Sequence, residues 1–141
     1  MAKDYFQSKE FKELLTLYEE QRDKGESVYL DADDFADIAD YYLSLDRPDL
    51  SMDTLAAGLS LHPDDEVLLI VLSATHIYQR KYDQAEAVLK TLDASNSDVL
   101  YQLAQLEYVK YGNVTKAEKM WREWMKLENG QEPSEQLRRE S

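Results

Sequence analysis

Asp31, Asp33 and Asp34 place carboxylates at close, alternating positions, the raw material of a calcium loop. Such a loop also needs a glycine at its sixth place and a bidentate glutamate at its twelfth. Counted from Asp31, those places hold Ala36 and Tyr42, so the aspartates read as a helix cap and an acidic first turn. His62 and His76 are the only histidines, and neither has a second imidazole four residues away. With no cysteine in the chain, thiolate metal sites, thiol catalysis and disulfides are all excluded. No metal and no cofactor are therefore expected. Enzyme chemistry lacks its signatures too: there is no glycine-rich phosphate loop, no serine elbow and no carboxylate pair set in a motif. The many Asp and Glu side chains read as a solvated helical surface. The expectation is a protein that is not an enzyme, with no catalytic residue assigned.

Tyrosine is the residue type in unusual supply, with ten copies, among them Tyr41, Tyr42, Tyr78, Tyr82, Tyr101, Tyr108 and Tyr111. A phenol ring offers a large area, few rotors and a polar tip, which suits recognition as well as packing. Which of the two applies depends on the helices that carry the rings.

Apolar residues recur at spacings of three and four along the whole chain, the helical period, and nothing reads as strand. The 141 residues suit a single domain, and 43% hydrophobic with 32% charged residues is ordinary globular composition. The longest apolar block, Val67 to Leu72, is far short of the ~20 residues that span a bilayer. No secretion signal follows Met1. These features together point to a cytoplasmic protein that does not bind membranes. A net charge of −13 argues against nucleic acid, whose phosphates are bound by neutralising Lys and Arg.

An internal repeat organises the elements. A small residue followed four later by a large apolar one occurs at Ser51/Leu55, Ala85/Leu89 and Ala117/Trp121, at intervals of 34 and 32 residues. Before it, residues 4–24 read as one amphipathic helix with Phe11, Leu14, Leu15 and Tyr18 on its face, stopped by Gly25. Either Asp31 or Asp33 caps the helix that follows, and Val28, Tyr29 or Leu30 can staple back on it. Gly112-Asn113 supplies the positive-φ residues of a later turn.

The pattern resembles the tetratricopeptide repeat family. The resemblance implies an all-α, right-handed α-α superhelix of about three helix pairs behind an N-terminal capping helix. By this register the single domain comprises the capping helix and linker at 4–30 and repeats at 32–65, 66–96 and 97–129. Residues 130–141 form a tail or a short capping turn, with Ser134 as its cap and Leu137 as its only apolar residue. Ala39, Ser51 and Gly58 are the small residues that let helices approach. At the end of the second repeat, Asp93 to Ser97 replace the expected proline turn.

The resemblance also implies a function, protein–protein interaction, in which a concave groove of first helices receives a peptide or helix. Its groove places hold Asp37, Asp40, Ile70, Ala74, Ile77, Tyr101, Gln105 and Tyr108, and for Tyr101 and Tyr108 packing is as good an account as recognition. One subgroup grips acidic chaperone tails through a carboxylate clamp of Lys, Arg and Asn. Here the clamp places hold Ala36, Asp40, Val71, Asp98 and Gln102, so the expected partner is basic or apolar rather than acidic.

Charge is uneven, with seven acidic residues and one basic between Asp31 and Asp49, against five basic and two acidic between Lys110 and Lys126. Solubility is the simpler account; steering of a basic partner or head-to-tail self-association is the sharper one. Trp124 and Met125 need a following helix to cover them, and the residues after Asn129 are a poor cover. Partial exposure, a longer native chain or a second copy would each answer that need. A homo-oligomerising module, such as a homodimer through Trp124 and Met125, is therefore the alternative function.

Overall fold

The structure, a computed structural model, describes residues 2–130, with Ala2 and Lys3 described in backbone only. These form α1 (Ala2–Phe6), α2 (Lys9–Asp23), α3 (Ala32–Ser44), α4 (Pro48–Leu61), α5 (Glu66–Tyr78), α6 (Tyr82–Leu89), α7 (Ser97–Val109) and α8 (Val114–Glu128). No strand occurs among the described residues, so the chain is all-α there. The expected capping turn from Ser134 to Arg139 lies outside them.

Short polar side chains start the helices by accepting from backbone N–H groups that have no partner within the helix. Ser8 accepts from Phe11, Asp31 from Asp34, Asp65 from Leu68, Asn96 from Asp98 and Asn113 from Lys116. Pro48 opens α4 from the first turn, where its missing N–H costs nothing. After α3 and α5 the chain bends through a left-handed residue, Asp46 (φ 60°) and Arg80 (φ 62°), and Gly112 (φ 65°) makes the bend before α8. The first two bends are closed by bonds from Arg47 N to Tyr42 O and from Lys81 N to His76 O, the paired carbonyl capping of a Schellman turn. The bends at 46, 80 and 112 recur at the 34- and 32-residue intervals of the small residues. Ser51, Ala85 and Ala117, each five residues beyond a bend, are completely buried.

Two expectations need correction, and others that stood open are resolved. The first amphipathic segment is two helices rather than one, because Ser8 turns its hydroxyl to Tyr5 O while capping α2. That turn folds Tyr5 and Phe6 back onto Phe11, with ring centroids 5.4 and 4.9 Å away. Gly112 alone takes a positive φ, and Asn113 is the cap of α8 instead. Helix α6 stops at Leu89, and Asp93 then holds a turn by accepting from Ser95 N and Oγ. Asp31 is the cap of α3, while Tyr29 stays exposed in the linker.

The chain divides into two compact units, the first ending at Val71 and the second starting at Leu72. In the first, α3 packs along α4 over a core of Phe11, Tyr18, Phe35, Ile38, Leu55 and Leu68. Each such side chain contributes roughly 1.5–3 kcal/mol by leaving water. Tyr18 Oη and Thr54 Oγ1 share a buried hydrogen bond of 3.0 Å, tying α2 to α4. His62 Nε2 lies 3.0 Å from Leu30 O, so this nitrogen carries the proton and pins the linker to the end of α4.

In the second unit α7 packs along α8, with Leu89, Val99, Leu100, Leu106 and Ala117 buried. Ser73 Oγ donates to Gln102 Oε1 in the interior. Lys110 Nζ reaches Asp83 and Glu86, each at 2.8 Å, and Tyr111 Oη donates to Glu86, which joins α7 to α6. Lys110 and Tyr111 hold the Glu86 carboxyl below its ordinary range.

Candidate functional site

On α7, Asp98, Tyr101, Gln105 and Tyr108 are spaced by three, four and three residues, which aligns them on one face. Tyr101 and Tyr108 keep 38% and 51% of their surface exposed. On α8, Trp121, Trp124 and Glu128 repeat the same spacing. The two rows meet. Tyr101 lies 5.0 Å from Trp124, centroid to centroid, at an interplanar angle of 58°, and 6.3 Å from Trp121. Tyr108 lies 6.0 Å from Trp121. Tilted pairs at these separations are the favoured arrangement of aromatic quadrupoles.

Residues assigned to two separate expectations thus share one surface. Tyr101 and Tyr108 came from the expected groove, and Trp124 from the expected self-association face. Met125 stands beside Trp124 with 55% of its surface exposed. Gln105 is half-buried on the same α7 face. The indole Nε1 of Trp121 is enclosed and has no acceptor among the described residues. Asp98 is exposed at the edge of this face, and desolvation by its neighbours followed by the charge of Glu128 raises its carboxyl above the ordinary range. Among the described residues no Lys or Arg is paired with either carboxylate.

The other expected groove residues are placed differently. Ile70, Ala74 and Ile77 are half-buried along α5. Asp37 and Asp40 are half-buried on α3, where α1 also packs. Phe6 meets Tyr41 of α3 at 5.3 Å. The Tyr5 phenol is raised by burial and then by Asp37 and Asp34, which sets it beside the acidic row. Burial, followed by Asp34, Asp33, Asp40 and Asp31, pushes Asp37 up to about 6. This face of α3 carries the chain's own Tyr5 and Phe6, a contact the sequence pattern did not signal because both residues continued the apparent helical period.

No group of three or more His, Asp or Glu residues able to hold a metal ion occurs among the described residues. A recess between the end of α2, the linker and α4 is lined by Arg22, Tyr29, Asp53, Ser60 and Leu61. Ser60 donates its hydroxyl to Ala57 O, and no histidine lines the recess to serve as a base. His76 is lowered by burial and then by Lys81, and its Nδ1 is enclosed without a partner among the described residues. No described helix is long and apolar enough to cross a membrane.

No family model, curated protein or solved structure matches this chain.

Charge separates sharply between the units. Residues 1–71 hold 18 acidic and 6 basic side chains, whereas residues 72–130 hold 8 of each. The aromatic face therefore belongs to an electrically balanced unit, while nearly the whole net charge of the chain sits in the other. Exposed tyrosines set on half-buried tryptophans at one face, with polar groups at its edge, make a surface suited to docking another protein.

Proposed function

We propose that the chain is a non-catalytic protein–protein interaction module built from tetratricopeptide-like helix pairs, docking a peptide or helix of a partner protein. The observation that carries this reading is the aromatic face on which Tyr101 and Tyr108 are exposed against half-buried Trp121 and Trp124. A large ring left at the surface forgoes burial worth roughly 1.5–3 kcal/mol, and a contiguous set of them marks an interaction site. The recurrence of bend and buried small residue supports the repeat part of the reading. The test is a peptide-display selection on the intact chain, counter-screened with Tyr101→Ala and Trp124→Ala. Selected peptides should lose binding to both variants while both keep their helical circular dichroism. Peptides indifferent to both would reject this face as the docking surface.

Met125 favours a second reading, self-association through the same face. Mass measured by sedimentation over a wide concentration range separates the two. A constant monomer leaves the surface to a foreign partner. A dimer lost in Trp124→Glu assigns it to a second copy.

A further inference from the structure

The edge of the aromatic face is not neutral. Asp98 stands one turn before Tyr101 on α7, and Glu128 one turn after Trp124 on α8. The charge of Glu128 reaches Asp98, and no described cation is paired with either carboxylate. Three of the four basic side chains of α8 are engaged on their own account: Lys116 with Glu107, Arg122 with Glu118 and Lys126 with Glu123. The surface therefore combines electron-rich ring faces, set at 58° to one another, with negative charge at the rim. A neutral apolar anchor would satisfy the rings and leave the carboxylates facing each other across the partner's edge. An acidic anchor would add a third like charge. A cation satisfies both, through attraction to the ring quadrupole and to the carboxylates. Of the two cationic side chains, arginine fits better. Its guanidinium is planar, stacks on an aromatic face and is more weakly hydrated than an ammonium, so it gives up less on docking.

Resting on the reading of this face as the docking surface, we propose that it takes an arginine side chain of the partner protein, stacked against Tyr101 and Trp124 and neutralised by Asp98 and Glu128. Partner selection then depends on charge as well as area, since a neutral residue of the same length leaves Asp98 and Glu128 uncompensated.

The chain has two tryptophans, so the indole N–H region of its ¹⁵N–¹H spectrum holds two signals, assigned by single substitution. The probe is an acetylated, amidated Gly-Arg-Gly peptide, titrated beside the same peptide with citrulline, which keeps the shape and loses the charge. The arginine peptide should shift the Trp124 signal saturably, with an apparent affinity about fivefold or more above that of the citrulline peptide. The double variant Asp98→Asn, Glu128→Gln keeps the rings and should remove most of that preference, as should high salt. Absence of a saturable shift with the arginine peptide overturns the proposal, and so does equal response to citrulline. Equal response would still leave an aromatic docking face, whereas display-selected peptides indifferent to Tyr101→Ala and Trp124→Ala would remove the face itself.

Discussion

Gly58 of α4 lies so close to Phe35 of α3 that a Cβ added to the glycine would stand 2.9 Å from Phe35 Cβ and 3.2 Å from Leu68 Cδ2. Phe35 and Leu68 are completely buried, and neither has free volume to yield. Gly58→Leu should therefore overpack this junction and lower stability by about 1–3 kcal/mol. Thermal or urea unfolding followed by circular dichroism reads the change. An unaltered midpoint would mean that the α3–α4 pair does not meet at Gly58.

Tyr18 and Thr54 bridge α2 and α4 through one buried hydrogen bond, and Thr54 Oγ1 also donates to Leu50 O. Tyr18→Phe should cost about 1 kcal/mol, and Thr54→Val somewhat more, because it leaves the phenol unpaired. A double-mutant cycle should show coupling between them. Additive losses would deny that the bond contributes.

The Asp37 carboxyl is raised to about 6 from its ordinary value of 3.8. The folded state then binds this proton more tightly than the unfolded chain does. Its contribution is fully present below about 4 and is lost as pH rises through about 6. Asp37→Asn should accordingly be more stable than the parent at pH 7, with the gap closing towards pH 4. Since Asp37 keeps access to water, screening limits the gap to about 1 kcal/mol or less. Melting temperatures of both proteins across this range provide the measurement, and a gap that widens on acidification would reverse the sign argued here.

Tyr101 contacts Trp124 and Trp121 while leaving more than a third of its surface exposed. Tyr101→Ala should cost about 0.5–1.5 kcal/mol in stability, the worth of an aromatic pair, and shift tryptophan emission to the red. A loss of several kcal/mol would make Tyr101 a core residue and weaken its claim to recognition.

How far the sequence reaches can be judged on particular residues. The cap at Asp31 and the bend at Gly112 depend on neighbours a few residues away, so their chemistry is local and legible. The interval from Ser51 to Ala85 to Ala117 is legible because packing repeats with the helix pairs. The break at Ser8 is less so, since Tyr5 and Phe6 keep helical spacing across it, and the fold-back is rewarded by Phe11 together with the distant Tyr41. Likewise the spacing places Tyr101 and Trp124 correctly on their own helices but does not say that the rings meet, because that depends on how α7 lies along α8. The rim of Asp98 and Glu128 follows from the same packing and was invisible for the same reason.

Asp46 and Arg80 adopt a backbone conformation that an L side chain disfavours by about 1–2 kcal/mol, and they do so at the bends that end α3 and α5. The capping bonds hold both bends in place, so geometry is maintained against residue preference rather than by it. Two glycine substitutions there would relieve strain without touching the aromatic face. The chain thus sits below the stability its own architecture permits, which leaves room to absorb destabilising changes made elsewhere in search of a tighter or different binding specificity.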